Sequence, residues 1–182
     1  MLKQISLLIL CAVAIVLFAT PVHACTSAVV SGKVTLDGRP LLWKNRDTDF
    51  MRNHVDYVKG ERYDFIAVVN SANAYLKEAW MGTNSAGFAL MNTQSYNLVD
   101  VKGDEERGAA NGRVIYRALE VCATVEDFCH FLDTISKPSD IEANFGVIDA
   151  QGGAAMFEVD YYKYVMYDAN NPKDAPYGYI AR

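Results

Sequence analysis

Cys25-Thr26-Ser27-Ala28-Val29-Val30-Ser31-Gly32, followed by Asp37-Gly38-Arg39-Pro40-Leu41-Leu42-Trp43 and then Lys44-Asn45-Arg46-Asp47, is the stretch on which the fold turns. Two β-rich runs, 27–34 and 40–43, flank Asp37-Gly38. Asp-Gly between such runs is a hairpin signal, because glycine accepts the positive φ that a tight turn requires. A hairpin returns the chain past its own start. That return sets Asp47 where a carboxylate could hold the backbone nitrogen of Cys25, with Lys44 close by. Arg46 is expected to point to the opposite face of the extended strand.

Upstream of Cys25 the chain changes character. Residues 7–19 are an unbroken apolar run of 13 residues, too short to cross a bilayer as a helix. Lys3 stands before it and Val22-His23-Ala24 after it. A positive start, a short apolar middle and small residues at −3 and −1 read as a secretory signal peptide over residues 1–24, cut between Ala24 and Cys25. The expectation is an exported protein, periplasmic or secreted, of 158 residues (182 minus 24) led by Cys25.

That position has chemical meaning. An α-amine titrates near ~7.7–8.0 and a lysine amine near ~10.4. A leading amine is therefore partly neutral at physiological pH and can take the proton of a thiol whose own value is about 8.5. A side chain that attacks a carbonyl with its own amino group as general base is the N-terminal-nucleophile arrangement. The junction leaves a second reading open, in which Cys25 is acylated and anchors a non-catalytic module to a membrane. Val22 and Ala24 suit a lipid-attachment site; His23 does not.

Hydrophobic residues make up 51% of the 182 and charged residues 21%, which fits a globular chain and excludes a disordered or coiled-coil one. Residues 1–24 hold one Lys and no acid, so 16 positive and 22 negative side chains remain, a balance of −6. No stretch is basic enough for a nucleic-acid surface. Cys11 leaves with the signal. Cys25, Cys122 and Cys129 stay, an odd number that leaves at least one thiol free. Cys122 and Cys129 read as small buried hydrophobes, with a disulfide between them the alternative. No second ligand cluster suggests a metal. His54 and His130 stand alone, and the α-amine already fills the place of the base.

The segment from Cys25 to Asp47 resembles the opening of the cysteine N-terminal-nucleophile (Ntn) hydrolases that cut linear amide bonds: the choloylglycine hydrolase and penicillin V acylase group, the acyl-CoA:6-aminopenicillanate acyltransferase group and related amidases and dipeptidases. Their shared opening is Cys-Thr, a strand, an Asp-Gly turn, a second strand and Arg-Asn-x-Asp. The resemblance implies that Cys25 is the nucleophile and that Asp47 orients it and its amine. Lys44 falls where the family has Arg, which keeps the charge and loses the two-pronged donor geometry. Further on, Gly82-Thr83-Asn84-Ser85-Ala86-Gly87-Phe88-Ala89-Leu90-Met91-Asn92 resembles the family's Asn-x-x-Gly-Leu turn and its following strand. Asn84 and Gly87 are expected at positions of positive φ. Asn92 matches a position that supplies an oxyanion-hole donor, largely through its backbone N–H. No metal or organic cofactor is required by such chemistry.

The remaining chain supplies two helices, about 112–122 and 125–135, from apolar spacing, with Thr124 and Asp127 as a capping-box start to the second. Strands are expected over 144–149, 154–160 and 162–167, turned by Gly152-Gly153 and by Asp160-Tyr161. Strand pair, helix pair, then strands is an α+β pattern. By resemblance it is the first part of an αββα four-layer sandwich. Family domains run to about twice this mature length, and a downstream Asn and Arg of the family's site have no counterpart here. Residues 25–182 are therefore expected to be the N-terminal part of an Ntn-hydrolase domain, its sandwich incomplete. The expected activity is cleavage of a small-molecule amide through an acyl-enzyme, with an acyltransferase or dipeptidase of the same superfamily as alternatives.

Overall fold

The computed structural model describes residues 25–72, 74–95 and 108–182. The signal-peptide reading of 1–24 lies outside the described residues. In chain order the elements are β1 (Thr26–Val30), β2 (Leu41–Asn45), β3 (Asn53–Val58), β4 (Phe65–Asn70), β5 (Met81–Asn84), β6 (Ala89–Gln94), α1 (Asn111–Val121), α2 (Val125–Thr134), β7 (Ala143–Ile148), β8 (Ala154–Val159), β9 (Tyr164–Asp168) and β10 (Tyr179–Ala181). They form a seven-stranded sheet in the order β3-β4-β5-β6-β7-β8-β9 and a three-stranded sheet in the order β10-β1-β2. Every described strand pair is antiparallel.

The large sheet packs each face against a different partner, the second face only in part. On one side α1 and α2 lay Val114, Ile115, Ala118, Leu119, Phe128 and Leu132 against Phe65, Phe88, Leu90, Phe145 and Phe157. Phe128 is the hub, with ring centroids 5.1 Å from Phe157 and 5.8 Å from Phe145, both edge-to-face. On the other side the small sheet packs Val29 and Ile180 against Met91, Ala154 and Met156, with Leu42 at the margin. Gly146 on β7 permits this approach. A Cβ there would lie 2.9 Å from Val29 Cγ2 and 3.0 Å from Leu42 Cδ1, closer than ordinary contact. The described residues thus build three layers, helices on sheet on sheet, in an α+β arrangement.

The helices start and stop close to where their spacing puts them. Thr124 Oγ1 accepts from Asp127 N at 3.0 Å and Asp127 Oδ2 accepts from Thr124 N at 3.1 Å, so the capping box is complete. The first hairpin is looser than Asp-Gly suggested. Val30 pairs with Leu41, and the connection includes a 3-10 turn at Gly32–Val34 before Gly38 takes φ +74°.

Asn84 acts differently from expectation. Gly87 takes the positive φ (+82°), while Asn84 ends β5 and works through its side chain. Its Nδ2 donates to Leu119 O (2.9 Å) and Cys122 O (2.7 Å), and its Oδ1 accepts from Ala86 N and Phe88 N, both 3.1 Å. One buried amide thus satisfies carbonyls at the end of α1 and ties them to the β5–β6 turn. Cys122 is buried and Cys129 half-buried, and both are free thiols.

Candidate active site

Strand register assembles the site. Across β1 and β2, Val29 faces Leu42 and Ser27 faces Lys44. Side chains two apart on a strand share a face. Val29 and Ser27 are fully buried toward the large sheet, so Leu42 and Lys44 turn the same way, and one further step sets Cys25 beside Arg46. The expectation that Arg46 turns away from Lys44 is therefore corrected: residues 44 and 46 are two apart, and the period of the strand puts them on one side.

Cys25 lies at the mouth of this row. Its Sγ is 3.4 Å from both the carbonyl O and the amide N of Asp47, so the chain at Asp47 runs directly against the sulfur. Lys44 reaches across the gap between the sheets. Its Nζ donates to Trp80 O and to Asn92 Oδ1, each at 3.0 Å. Asn92 is buried on β6, opposite Phe145 of β7. The expected grouping of Cys25, Asp47, Lys44 and Asn92 is thus one place in the fold, reached from β1, the segment after β2, β2 itself and β6.

The electrostatics follow from this enclosure. Loss of water pushes the Lys44 ammonium down from 10.5 to about 8, against a smaller upward pull from the Cys25 sulfur and a further downward push from Arg46. Arg46 is also lowered by desolvation, with Cys25 again pulling it upward. Both cations therefore lie close enough to the Cys25 sulfur to interact with it electrostatically.

Arg46 is the residue that sequence reading set aside. Its guanidinium sits 5.1 Å from the centroid of the Trp80 ring. One terminal nitrogen donates to Asn70 Oδ1 at 2.8 Å and the other to Asn53 Oδ1. Asn70, at the end of β4, is nearly buried. The available signal was the spacing of two from Lys44. Beside the site an apolar cleft of about 400 Å3 runs between β2 and the face of β3 to β6, lined by Leu41, Leu42, Val55, Ile66, Val68 and Met81 among others. Among the described residues no group of three or more His, Cys, Asp or Glu is placed to hold a metal. No helix among them is long and apolar enough to cross a membrane.

Comparison with known proteins gives this arrangement its relatives. In fold, the chain is similar to a mutant of the conjugated bile acid hydrolase from Clostridium perfringens, at TM-score 0.55 and 15% identity over 80% of this chain and 50% of that one. A second variant of the same enzyme gives TM-score 0.55 and 16% identity, covering 79% and 51%. Penicillin V acylase from Agrobacterium tumefaciens aligns at TM-score 0.40 and 18% identity, covering 87% and 44%. The chain thus spans about half the length of the solved structures it matches. Among curated proteins no sequence match was found. The family model for acyl-coenzyme A:6-aminopenicillanic acid acyl-transferase matches residues 35–173, a span that holds Lys44, Asp47 and Asn92 and begins ten residues after Cys25. That match covers more than half of the sequence, and the chain accordingly belongs to the acyl-coenzyme A:6-aminopenicillanic acid acyl-transferase family, within the Ntn-hydrolase superfamily.

Proposed function

We propose that this protein is an exported cysteine amidohydrolase whose nucleophile is Cys25, uncovered by removal of residues 1–24. The observation that carries the reading is the meeting of the Cys25 sulfur, the Asp47 main chain, two cations and Asn92 between the small sheet and β6 of the large one. The freed α-amine takes the thiol proton, and the sulfur attacks the amide carbonyl carbon. The carbonyl oxygen becomes an oxyanion held by Asn92, with Lys44 behind it on the Asn92 side-chain oxygen. Collapse breaks the carbon–nitrogen bond, and the departing amine takes the proton from the α-ammonium. Water then cleaves the thioester, releasing the acid and restoring the thiol. Asp47 holds the amine in place. An oxyanion-hole donor of this kind is worth about 2.7–4 kcal/mol of transition-state stabilisation.

A second outcome of the same intermediate is favoured by the matched family, whose description is that of an acyl-transferase. There an amine, in place of water, receives the acyl group from the Cys25 sulfur.

The test is intact mass of the exported protein before and after incubation with amide substrates. The expected result is an N-terminus at Cys25 and an acyl adduct that disappears in Cys25→Ala. An N-terminus elsewhere, or diacylglycerol on Cys25 by metabolic labelling with a fatty acid, overturns the reading in favour of a lipid-anchored module. Adding a primary amine separates the two enzymatic outcomes, since only the transferase makes the new amide in preference to the acid.

A further inference from the structure

We infer that Cys129 and Met166 form a binding site for a soft monovalent cation, copper(I) by its ligand chemistry, on the helix side of the large sheet and apart from the row that holds Cys25. The Cys129 sulfur lies 3.7 Å from the Met166 sulfur, and the two residues come from different elements, α2 and β9. The fold brings them together through Phe157. Met166 stands opposite Phe157 in the pairing of β8 with β9, so it shares the face on which Phe157 meets Phe128 at 5.1 Å. Cys129 follows Phe128 and packs at the margin of the same cluster. One step along, Tyr164, two before Met166, donates its hydroxyl to Asp133 Oδ1 at 3.0 Å, and Asp133 is four after Cys129. Helix and strand are thus fastened together beside the sulfur pair. Because β9 is the last strand of the sheet, the pair lies at an edge open to solvent, with Met166 exposed and Cys129 half-buried.

A thiolate with a thioether is the donor set that copper(I) prefers. Zinc takes four nitrogen, sulfur or oxygen ligands, and among the described residues no group of three or more His, Cys, Asp or Glu is placed to supply them. Metal–sulfur bonds are about 2.3 Å long, so an ion bonded to both sulfurs sees them at an angle of about 110°, with further positions left open. Those positions face a cavity of about 460 Å3 lined also by Thr124, Glu126, Asp149 and Gln151, where water completes the shell. The surroundings favour a positive ion. Burial, then the charges of Asp133 and Glu126, push the Cys129 thiol up from its usual range, against a smaller downward effect of the Tyr164 hydroxyl. The carboxylates that oppose a bare thiolate attract a cation in place of its proton. On binding, the Cys129 S–H bond breaks, the proton passes to water, and the freed electron pair forms the metal bond. The Met166 sulfur adds a lone pair, and the metal keeps its oxidation state. The site stands whether or not the chain is an amidase.

The test titrates silver(I), a redox-inert stand-in for copper(I), into the full chain carrying Cys25→Ala, which removes the thiol of the candidate active site. Calorimetry is expected to show one tight site that Cys129→Ser abolishes and that Met166→Leu weakens at least tenfold. Copper(I) supplied without oxygen is expected to fill the same site, and a tenfold excess of zinc(II) to leave it filled. A second measurement needs no substitution at either sulfur. One equivalent of silver is expected to slow both alkylation of Cys129 by iodoacetamide and oxidation of Met166 by peroxide at least fivefold, read by peptide mass spectrometry. Undiminished affinity in Met166→Leu, or protection of Cys129 while Met166 oxidises at its free rate, overturns the site and leaves a simple thiol adduct. Uptake that survives Cys129→Ser, or displacement by zinc, overturns it as well.

Discussion

On its helix side the seven-stranded sheet buries Phe65, Phe88, Phe128, Phe145 and Phe157 with Ile115, Leu119 and Leu132. On its other side the small sheet covers only part of it, over Met91, Ala154 and Met156, and polar groups fill the gap: Lys44, Arg46, Asn70 and Asn92. The first face is closed and apolar, and its residues are held by dispersion and loss of water contact. The second carries two desolvated cations facing a thiol, an arrangement that costs folding free energy and makes sense only if the charges act on something. One face keeps the sheet together; the other gathers the polar groups of the candidate site.

Substitutions can break that division. The largest expected effect is Cys25→Ala, which abolishes turnover while urea denaturation stays where it was, since the sulfur is not part of either apolar cluster. Phe128→Ala does the reverse, destabilising the fold by about 3–5 kcal/mol by chemical denaturation, with kcat in the surviving native population little changed. Lys44→Met should cost about tenfold to hundredfold in kcat/KM, or ~1.4–2.8 kcal/mol, with a gain in stability at neutral pH. The pH dependence sharpens the point. Lys44 loses its proton as pH rises through about 8, so the rate falls above that pH. In Lys44→Arg this alkaline limb disappears from the accessible range. Stability runs the other way. Unfolded, the lysine titrates near its ordinary 10.5, so between about 8 and 10.5 the unfolded chain binds more protons and stability of the wild type rises with pH. Lys44→Met lacks that rise. The smallest effect is Thr124→Ala, which removes one half of the capping box for about 1 kcal/mol by thermal melting and leaves the rate alone.

How much of this was legible in the sequence depended on the range of the signal. The helices and the capping box are local, and their spacing predicts them to within a residue or two. Strands β7 to β9 are bounded by their own turns; Asp160 Oδ1, for example, accepts from Tyr162 N and Lys163 N in the corner that joins β8 to β9. Strands β3 and β4 went unread, although 65–69 is a continuous apolar run, because no tight turn marks the connection from 59 to 64. In the site, Cys25 came from the expected cleavage junction and Lys44, Asp47 and Asn92 from the resemblance to a family; the Cys25 sulfur meets the Asp47 main chain and Lys44 meets Asn92. Arg46 was lost to a miscounted strand period. Asn84 was expected at a positive φ that it does not take; besides its backbone bonds in the turn, its side chain makes four more, since motif position alone does not reveal a side-chain brace.

The strand order of the small sheet has a bearing on timing. β1, which leads from the thiol, lies between β2 and β10, and Ser27 N donates to Arg182 O at 2.8 Å across 155 positions of chain. One flank of β1 closes through a local loop, the other only through a strand about 150 positions further along the chain. Until β10 arrives one edge of β1 is unpaired, so the sheet that carries Cys25 is completed by a contact distant in sequence.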